Sequence, residues 1–536
     1  MSISLQTKTN ARYKTCDIVS FEYEHFDEDV VFPLVIHGSE LPDGSGFPYK
    51  LERPSLSFKT YRAMAEKGLK NVADRVITTK SRSHITPDNI WQGVLKYAGS
   101  VPKRCTDPVY QRCLDDLRAE VGCELSVMDM DEAVKHIPAS TSPGLPFIKT
   151  HPGKKKGEII SQFREKFSGY WDRVGRGKPV TPLPDCAAFA RSHVGAAGNN
   201  KVRPVWAYPV EAVVEEARFS VPLQNALKNQ EIGHQFAYGM EMLKGGMTWL
   251  NTNLQRSRRR DPGSKFLMID YTGFDNSIPA WLIRDVFDIV LSLFPHATIE
   301  DKRRFKFIVN YFINTSIQNM DGRRFQKWHG VPSGSMFTNA IDTMINFVVT
   351  RYCILKTTGE MPLFFNCFGD DSIASIDGRC LIDLEQFAAA ALVFGMVVNT
   401  KKSYWTNVIT NVHYLGYYNL HGDPVKPDDE LVASMLFPQY LKDDWAYCIA
   451  RSLGCLLASC GNSPNVFLAA QGVYWKAHRE KSVNVEEGLR LIRTNPRMLR
   501  HLANMGAAEF DLSPEFFFRN DYSYPRLDCT KIMKRI

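Results

Sequence analysis

The segment that most constrains this chain is Asn366-Cys367-Phe368-Gly369-Asp370-Asp371-Ser372, which sets two adjacent carboxylates on a glycine turn between short apolar runs. Leu363 to Phe368 and Ile373 to Ile376 read as strands, and Gly369-Asp370-Asp371 supplies the turn chemistry that closes a tight hairpin between them. Neighbouring carboxylates repel, so such a tip calls for a cation. Taken alone, an Asp-Asp turn also reads as a solvated loop.

The rest of the chain removes that tie. Upstream, Lys265-Phe266-Leu267-Met268-Ile269 is apolar enough for a buried strand, and it ends in Asp270-Tyr271-Thr272-Gly273-Phe274-Asp275. A second carboxylate pair therefore lies at a strand end. Asn276 or Ser277 can cap the helix that follows, with Pro279 in its first turn and Leu282, Val286, Ile289, Val290 and Leu293 along one face. If the two strands are neighbours in one sheet, Asp270 and Asp370 meet at its end, and oxygen ligands so placed suit Mg²⁺. A pair of such ions, roughly 3.5–4 Å apart, activates an attacking hydroxyl and steadies a leaving pyrophosphate in an in-line displacement. The chemistry indicated is phosphoryl transfer.

Between the acidic pairs, the Gly/Pro/Ser loop Gly330-Val331-Pro332-Ser333-Gly334-Ser335 runs through Met336-Phe337-Thr338-Asn339 into an apolar helix containing Met344, Ile345 and Val348. A small-residue loop opening a helix can approach a sugar or phosphate closely. By itself it also reads as an ordinary capped turn.

In order and spacing, these segments resemble motifs A, B and C of the viral RNA-dependent RNA polymerases. Asp270 and Asp275 fall in A, Ser333, Gly334 and Thr338 in B, and Gly369, Asp370 and Asp371 in C. Lys201-Val202-Arg203-Pro204-Val205-Trp206, preceded by Arg191, resembles motif F, whose cations hold the incoming triphosphate. Thr141-Ser142-Pro143-Gly144 resembles motif G, which implies RNA contact along the template path by Thr141, Ser142 and Gly144. Phe394-Gly395-Met396 through Lys401-Lys402-Ser403 resembles motif D, and His413-Tyr414-Leu415-Gly416-Tyr417 stands where motif E would. The resemblance spans residues 141–417. Within the superfamily, the Asp-Tyr-Thr-Gly-Phe-Asp segment looks like the picornavirus-like supergroup, and the Gly-Asp-Asp-Ser ending looks most like the double-stranded RNA picobirnaviruses, with partitiviruses next. One departure stands out: Asp342 occupies the position where picornavirus-like motif B carries a ribose-sensing asparagine, so that either Asn339 substitutes for it or Asp342 bonds differently.

The resemblance implies an α/β right hand with an α+β palm, fingers and thumb around an encircled active site. Residues 1–220 would form the N-terminal region and fingers, 221–304 the palm with motif A, 305–330 a fingers insertion, 331–425 the palm with motifs B to E, and 426–536 the thumb. It further implies Asp270, Asp370 and Asp371 as ligands of two Mg²⁺ ions, with Mn²⁺ the alternative, and Lys402 as a catalytic proton donor, with Lys401 beside it the alternative. Arg191, Lys201, Arg203, Asp275, Ser333, Gly334, Thr338 and Asn339 would then bind the nucleotide. The implied partners are RNA template and product, ribonucleoside triphosphates and a viral capsid protein, in the virion interior and host cytoplasm.

Composition permits this reading without producing it. At 536 residues the chain exceeds what one hydrophobic core supports, so three or four subdomains are expected. A net charge of +8 is a mild bias that tolerates a polyanionic partner. The local clusters Lys154-Lys155-Lys156, Arg256 with Arg258-Arg259-Arg260, Lys302-Arg303-Arg304 and Arg323-Arg324 read individually as solvated faces and together as candidate channel linings. The twelve cysteines contain no C-x-x-C pair, so reduced, buried thiols in a reducing compartment are expected. No apolar run approaches the roughly 20 residues of a membrane span, and Met1 to Asn10 has no signal-peptide core. His421-Gly422-Asp423-Pro424 marks a boundary before a C-terminal region whose Trp445, Tyr447, Leu453, Leu456 and Leu457 fit amphipathic helices.

Rival readings differ in what they leave unexplained. A metal-dependent nuclease would need no triphosphate-binding basic segment. A non-catalytic RNA-binding coat protein would leave the carboxylate pairs without a role. A reverse transcriptase resembles a chain with a bulky aromatic sugar gate where this one has Asp275.

Overall fold

The computed structural model describes residues 18–19, 32–33, 39–49, 51, 55–200, 202–439, 444–481, 485–495 and 498–499. At its centre lies a four-stranded antiparallel sheet in the spatial order Phe364–Phe368, Asp371–Ile376, Lys265–Ile269, Tyr404–Thr406. Side chains alternate across this sheet, and both faces are covered. Leu267, Ile269, Phe365, Cys367, Ala374 and Ile376 enter one hydrophobic core, whereas Phe266, Met268 and Ile373 enter another. A strand buried on both faces needs apolar residues at every position, which is why Lys265–Ile269 reads as an unbroken run.

The helix Thr338–Thr358 packs in the first core and is buried on almost every side from Ala340 to Ile354. Its neighbour, Ala280–Ser292, buries Leu282, Val286, Ile289 and Val290 as the spacing predicts. The start of that helix differs from expectation. Phe274–Ser277 forms its own short turn, and Pro279 stands at the cap position with no side-chain hydrogen bond. Asn276 instead donates to the Lys96 carbonyl, and Ser277 to that of Phe274.

A second, five-stranded sheet runs in the order Ser39–Leu41, Arg324–Gln326, Ser316–Gln318, Cys186–Ser192, Val202–Ala207. The hairpin between helix Ile299–Ile313 and the Gly330 loop thus joins strands from the first part of the chain. Val202–Ala207 lies at the sheet edge, where Pro204 withholds no ladder donor that a further strand would need.

The C-terminal region is helical: Asp428–Leu436, Trp445–Ala458, Pro464–Lys481 and Val485–Thr494. Trp445, Leu453, Leu456 and Leu457 are core residues there. The N-terminal helix Phe58–Glu66 docks on these helices. The Ser57 N–H donates to the Leu436 carbonyl at 2.8 Å, Lys67 donates to Gln471 at 2.8 Å, and Glu66 pairs with Lys476 and Arg479. One stretch of chain therefore touches both the edge of the five-stranded sheet and the C-terminal helices.

Several cations expected to line a channel are used internally. Arg304 pairs with Asp301 and Asp172, Arg323 with Asp321 and Asp88, Arg324 with Asp185, and Lys156 is buried. The described cysteines are free thiols, buried except for the partly covered Cys123. Among the described residues, no helix is long and apolar enough to cross a membrane.

Candidate active site

The register of the central sheet builds the site. Ser372 pairs with Ile269 on one side of the motif A strand, and Tyr404 pairs with Met268 on the other. One step along the first ladder Asp371 comes opposite Asp270, and two steps along the second Lys402 flanks it from the turn that precedes Tyr404–Thr406. Lys402 Nζ lies 3.8 Å from Asp270 Oδ2. The Ser403 hydroxyl accepts the Asp270 N–H at 2.9 Å, and the Asn399 N–H donates to the Asp270 carbonyl at 2.8 Å, so the motif D segment fixes the backbone that carries Asp270.

The hairpin is tighter than the sequence implies: Asp371 already pairs with Phe368, leaving Gly369 and Asp370 as the turn. Gly369 takes φ +57°, a conformation only glycine adopts without steric cost. The Thr338–Thr358 helix grips this turn through side chains that the pattern did not single out. The Thr343 hydroxyl accepts the Gly369 N–H at 2.9 Å. Asn346 Nδ2 donates to the carbonyls of Gly369 and Asp371 at 2.8 and 3.1 Å. Asn346 Oδ1 accepts from Thr350, whose hydroxyl also lies 2.9 Å from that of Tyr271, so one buried polar chain links motifs A, B and C. Polar residues inside an apolar helix carry no local signal of what they hold.

Electrostatics register the crowding. Loss of solvent and then the charges of Asp370 and Asp270 push the Asp371 carboxyl up to about 7, with Arg203 opposing, although part of the residue remains exposed. Burial and then Asp370 raise Asp275 to about 6, again against Arg203. Asp342 is buried, and loss of solvent followed by Asp275 and Asp370 holds its carboxyl well above the usual range. Its Oδ1 has no hydrogen-bond partner among the described residues. Asp342 thus faces the same space as Asp275, where the sequence pattern expected an asparagine.

Among the described residues, no three His, Cys, Asp or Glu side chains are drawn together as a ready-made metal cluster. The donor set still fits a hard divalent cation in kind. Asp270, Asp370 and Asp371 set carboxylate oxygens at one sheet end, and a dication there would relieve the repulsion that, after burial, raises Asp371.

On the motif F hairpin, Arg191 and Arg203 are direct cross-strand partners and both are exposed. Like charges placed opposite each other destabilise a sheet unless an anion lies between them. Lys201 lies outside the described residues. Ser333 Oγ accepts the Trp206 N–H at 3.2 Å, which leaves its own proton to donate. Gly334 lies so close to this strand that a Cβ there would be 2.0 Å from the Trp206 carbonyl oxygen. The Thr338 hydroxyl donates to the carbonyls of Pro332 and Ser335, so toward a ligand it is an acceptor. Asn339 is exposed near the Gly369 turn and accepts from the Tyr238 hydroxyl.

The motif G loop is docked rather than open. Ser142 Oγ accepts the Gly144 N–H at 3.3 Å, Thr141 donates to Pro138, and the Pro143 carbonyl accepts the Val210 N–H. Two further residues went unread in the sequence. Buried Lys327 donates to the carbonyls of Phe312, Ile313 and Gly330, and buried Tyr97 donates to that of Val331, whose N–H bonds the Asp275 carbonyl at 2.7 Å. Together they set the start of the motif B loop against Asp275.

Comparison with known proteins agrees with this arrangement. Residues 107–424 match the family model described as viral RNA-dependent RNA polymerase. The chain is 30% identical over 293 residues to the RNA-directed RNA polymerase of Cryptosporidium parvum virus 1, covering 53% of each. It is 26% identical over 347 residues to that of Atkinsonella hypoxylon virus, covering 55% of this chain and 51% of the relative. Against that of White clover cryptic virus 1 it is 24% identical over 310 residues, covering 51% and 48%. The aligned region spans about half the length of these relatives. They fall on the partitivirus side of the two finer placements read from the motifs. With well over half its length matched by the family model, the chain belongs to the viral RNA-dependent RNA polymerase family.

Proposed function

We propose that this chain copies an RNA template, joining ribonucleoside monophosphates from triphosphates to the 3′-hydroxyl of a growing strand. The observation that carries the proposal is the sheet register that aligns Asp270, Asp371 and Lys402 at one end of three adjacent strands. Family membership and relatives named RNA-directed RNA polymerase support it.

In this reading, Asp270, Asp370 and Asp371 hold two divalent ions, Mg²⁺ or Mn²⁺, whose chemistry when bound is to activate the hydroxyl and stabilise the leaving pyrophosphate. The protein's own groups do the rest by placement and charge. Arg203 and Arg191 receive the triphosphate between them, which removes their mutual repulsion. Asp275, with Asp342 beside it, and the acceptor oxygen of Thr338 read the ribose 2′-hydroxyl; a bulky aromatic gate against ribose is absent at Asp275. Lys402 donates a proton toward the pyrophosphate. Thr141, Ser142 and Gly144 border the template path. The five-stranded sheet and its helices act as fingers, the four-stranded sheet as palm and the C-terminal helices as thumb, with strand Ser39–Leu41 joined to the fingers sheet and helix Phe58–Glu66 docked on the thumb.

The test is incubation of the purified protein with a short RNA template, four ribonucleotides and Mg²⁺, followed by sizing of products. Full-length complementary RNA is expected from the parent chain and none from Asp370→Asn. Near-normal synthesis by Asp370→Asn would remove the metal assignment.

A further inference from the structure

The Ser333–Met336 loop is held from two sides. Strand Val202–Ala207 takes Ser333 and Gly334, as described. On the other side lies helix Val210–Lys228, whose Glu216 is buried in the middle of the protein. Glu216 Oε1 accepts the Ser335 hydroxyl at 2.7 Å, and Oε2 accepts the Met336 N–H at 2.9 Å. Two turns further along the same helix, Gln224 Nε2 donates to the Met336 carbonyl at 2.8 Å. One helix thus clasps both the N–H and the C=O of a single loop residue.

A buried carboxylate is costly, and where only packing is needed an apolar side chain of similar size serves as well or better. Glu216 is therefore informative because both its oxygens are engaged by the loop, with the charge of Lys156, itself buried, nearby. Lys156 begins the helix after the motif G loop, and its N–H donates to the Thr141 carbonyl at 2.9 Å. Segments resembling motifs B, F and G thereby converge on the first half of one helix. Ser335 Oγ relays the constraint by accepting the Phe337 N–H at 3.1 Å, immediately before Thr338 and Asn339.

We propose that Glu216 is a positioning residue for ribose selection: by fixing Ser335 and Met336 it sets the angle at which Thr338 and Asn339 meet the incoming sugar. This rests on the polymerase reading above. Without the Glu216 carboxylate, the Met336 N–H and Ser335 hydroxyl lose their acceptors, and on this helix only the Gln224 bond to the Met336 carbonyl still holds the loop.

The test uses the ratio of single-nucleotide incorporation efficiency for a ribonucleotide over its deoxy analogue, a ratio that does not depend on the fraction of folded enzyme. Glu216→Ala and the milder Ser335→Ala are expected to lower this ratio at least tenfold. Glu216→Gln, which keeps a carbonyl acceptor, should stay within threefold of the parent. A folded Glu216→Ala or Ser335→Ala chain with an unchanged ratio, whatever its melting temperature, overturns the inference while the polymerase reading stands. A parent chain that incorporates nothing overturns both.

Discussion

Asp275→Asn separates what the site gives to stability from what it gives to chemistry. In the metal-free protein, burial and the Asp370 charge lift Asp275 from an ordinary 3.8 to about 6. A carboxyl raised in this way stabilises the fold fully below its unfolded pKa, and that contribution is lost as pH rises through the folded value. Between pH ~4 and ~6 the native state binds the extra proton, so stability falls relative to a variant that cannot titrate. About two units at ~1.4 kcal/mol each gives a ceiling of roughly 3 kcal/mol, reached above pH ~6.5. The amide introduced by this substitution is isosteric with the carboxyl and can still accept a hydrogen bond, so little packing changes. In chelator, thermal unfolding should show Asp275→Asn close to the parent at pH 4 and up to about 3 °C more stable at pH 7.5. The same variant should lose ribose preference and rate. A stability difference that is flat across pH, or that favours the parent at pH 7.5, would refute the electrostatic account of this carboxylate cluster.

Other expectations follow from the same geometry. Asn346→Ala strips the Gly369 and Asp371 carbonyls of a buried donor, which costs about 2–4 kcal/mol; calorimetry should show the loss, and the Mg²⁺ concentration for half-maximal synthesis should rise. Lys402→Met should slow single-turnover bond formation by roughly 10² at saturating nucleotide, whereas Lys401→Met should not; equal small effects in rapid-quench assays would leave only a surface-charge role for both. Arg203→Ala should weaken nucleotide binding at least tenfold, with Arg203→Lys recovering only part because an ammonium cannot reproduce a forked contact, as equilibrium titration would show.

Much of the chemistry was legible because it sits where strands end. Asp270, Asp370 and Asp371 each follow or open an apolar run, and the runs prove to be adjacent strands, with Asp275 in the short helical turn just beyond the first. Arg191 and Arg203 were read as cations of one segment, and the structure adds that they are paired across it. What stayed hidden depends on contacts distant in sequence. Asn346 and Thr343 lie in a helix read only for its apolar period, and their meaning comes from a turn more than twenty residues away. Glu216 carries no sequence signal either, since its partners Ser335 and Met336 lie more than a hundred residues away. The charge runs misled in part, since Lys156, Arg304, Arg323 and Arg324 are held by the protein itself; a count of cations says nothing about which have carboxylates waiting for them.

The central claim, template-directed addition, is tested most directly by single-nucleotide incorporation on RNA templates that differ only in the first base to be copied. The account predicts that each template selects its complementary ribonucleotide, that changing the base changes the nucleotide added, and that pyrophosphate is released in step with each addition. Addition that ignores the template base, or cleavage of the strand without pyrophosphate, would contradict it.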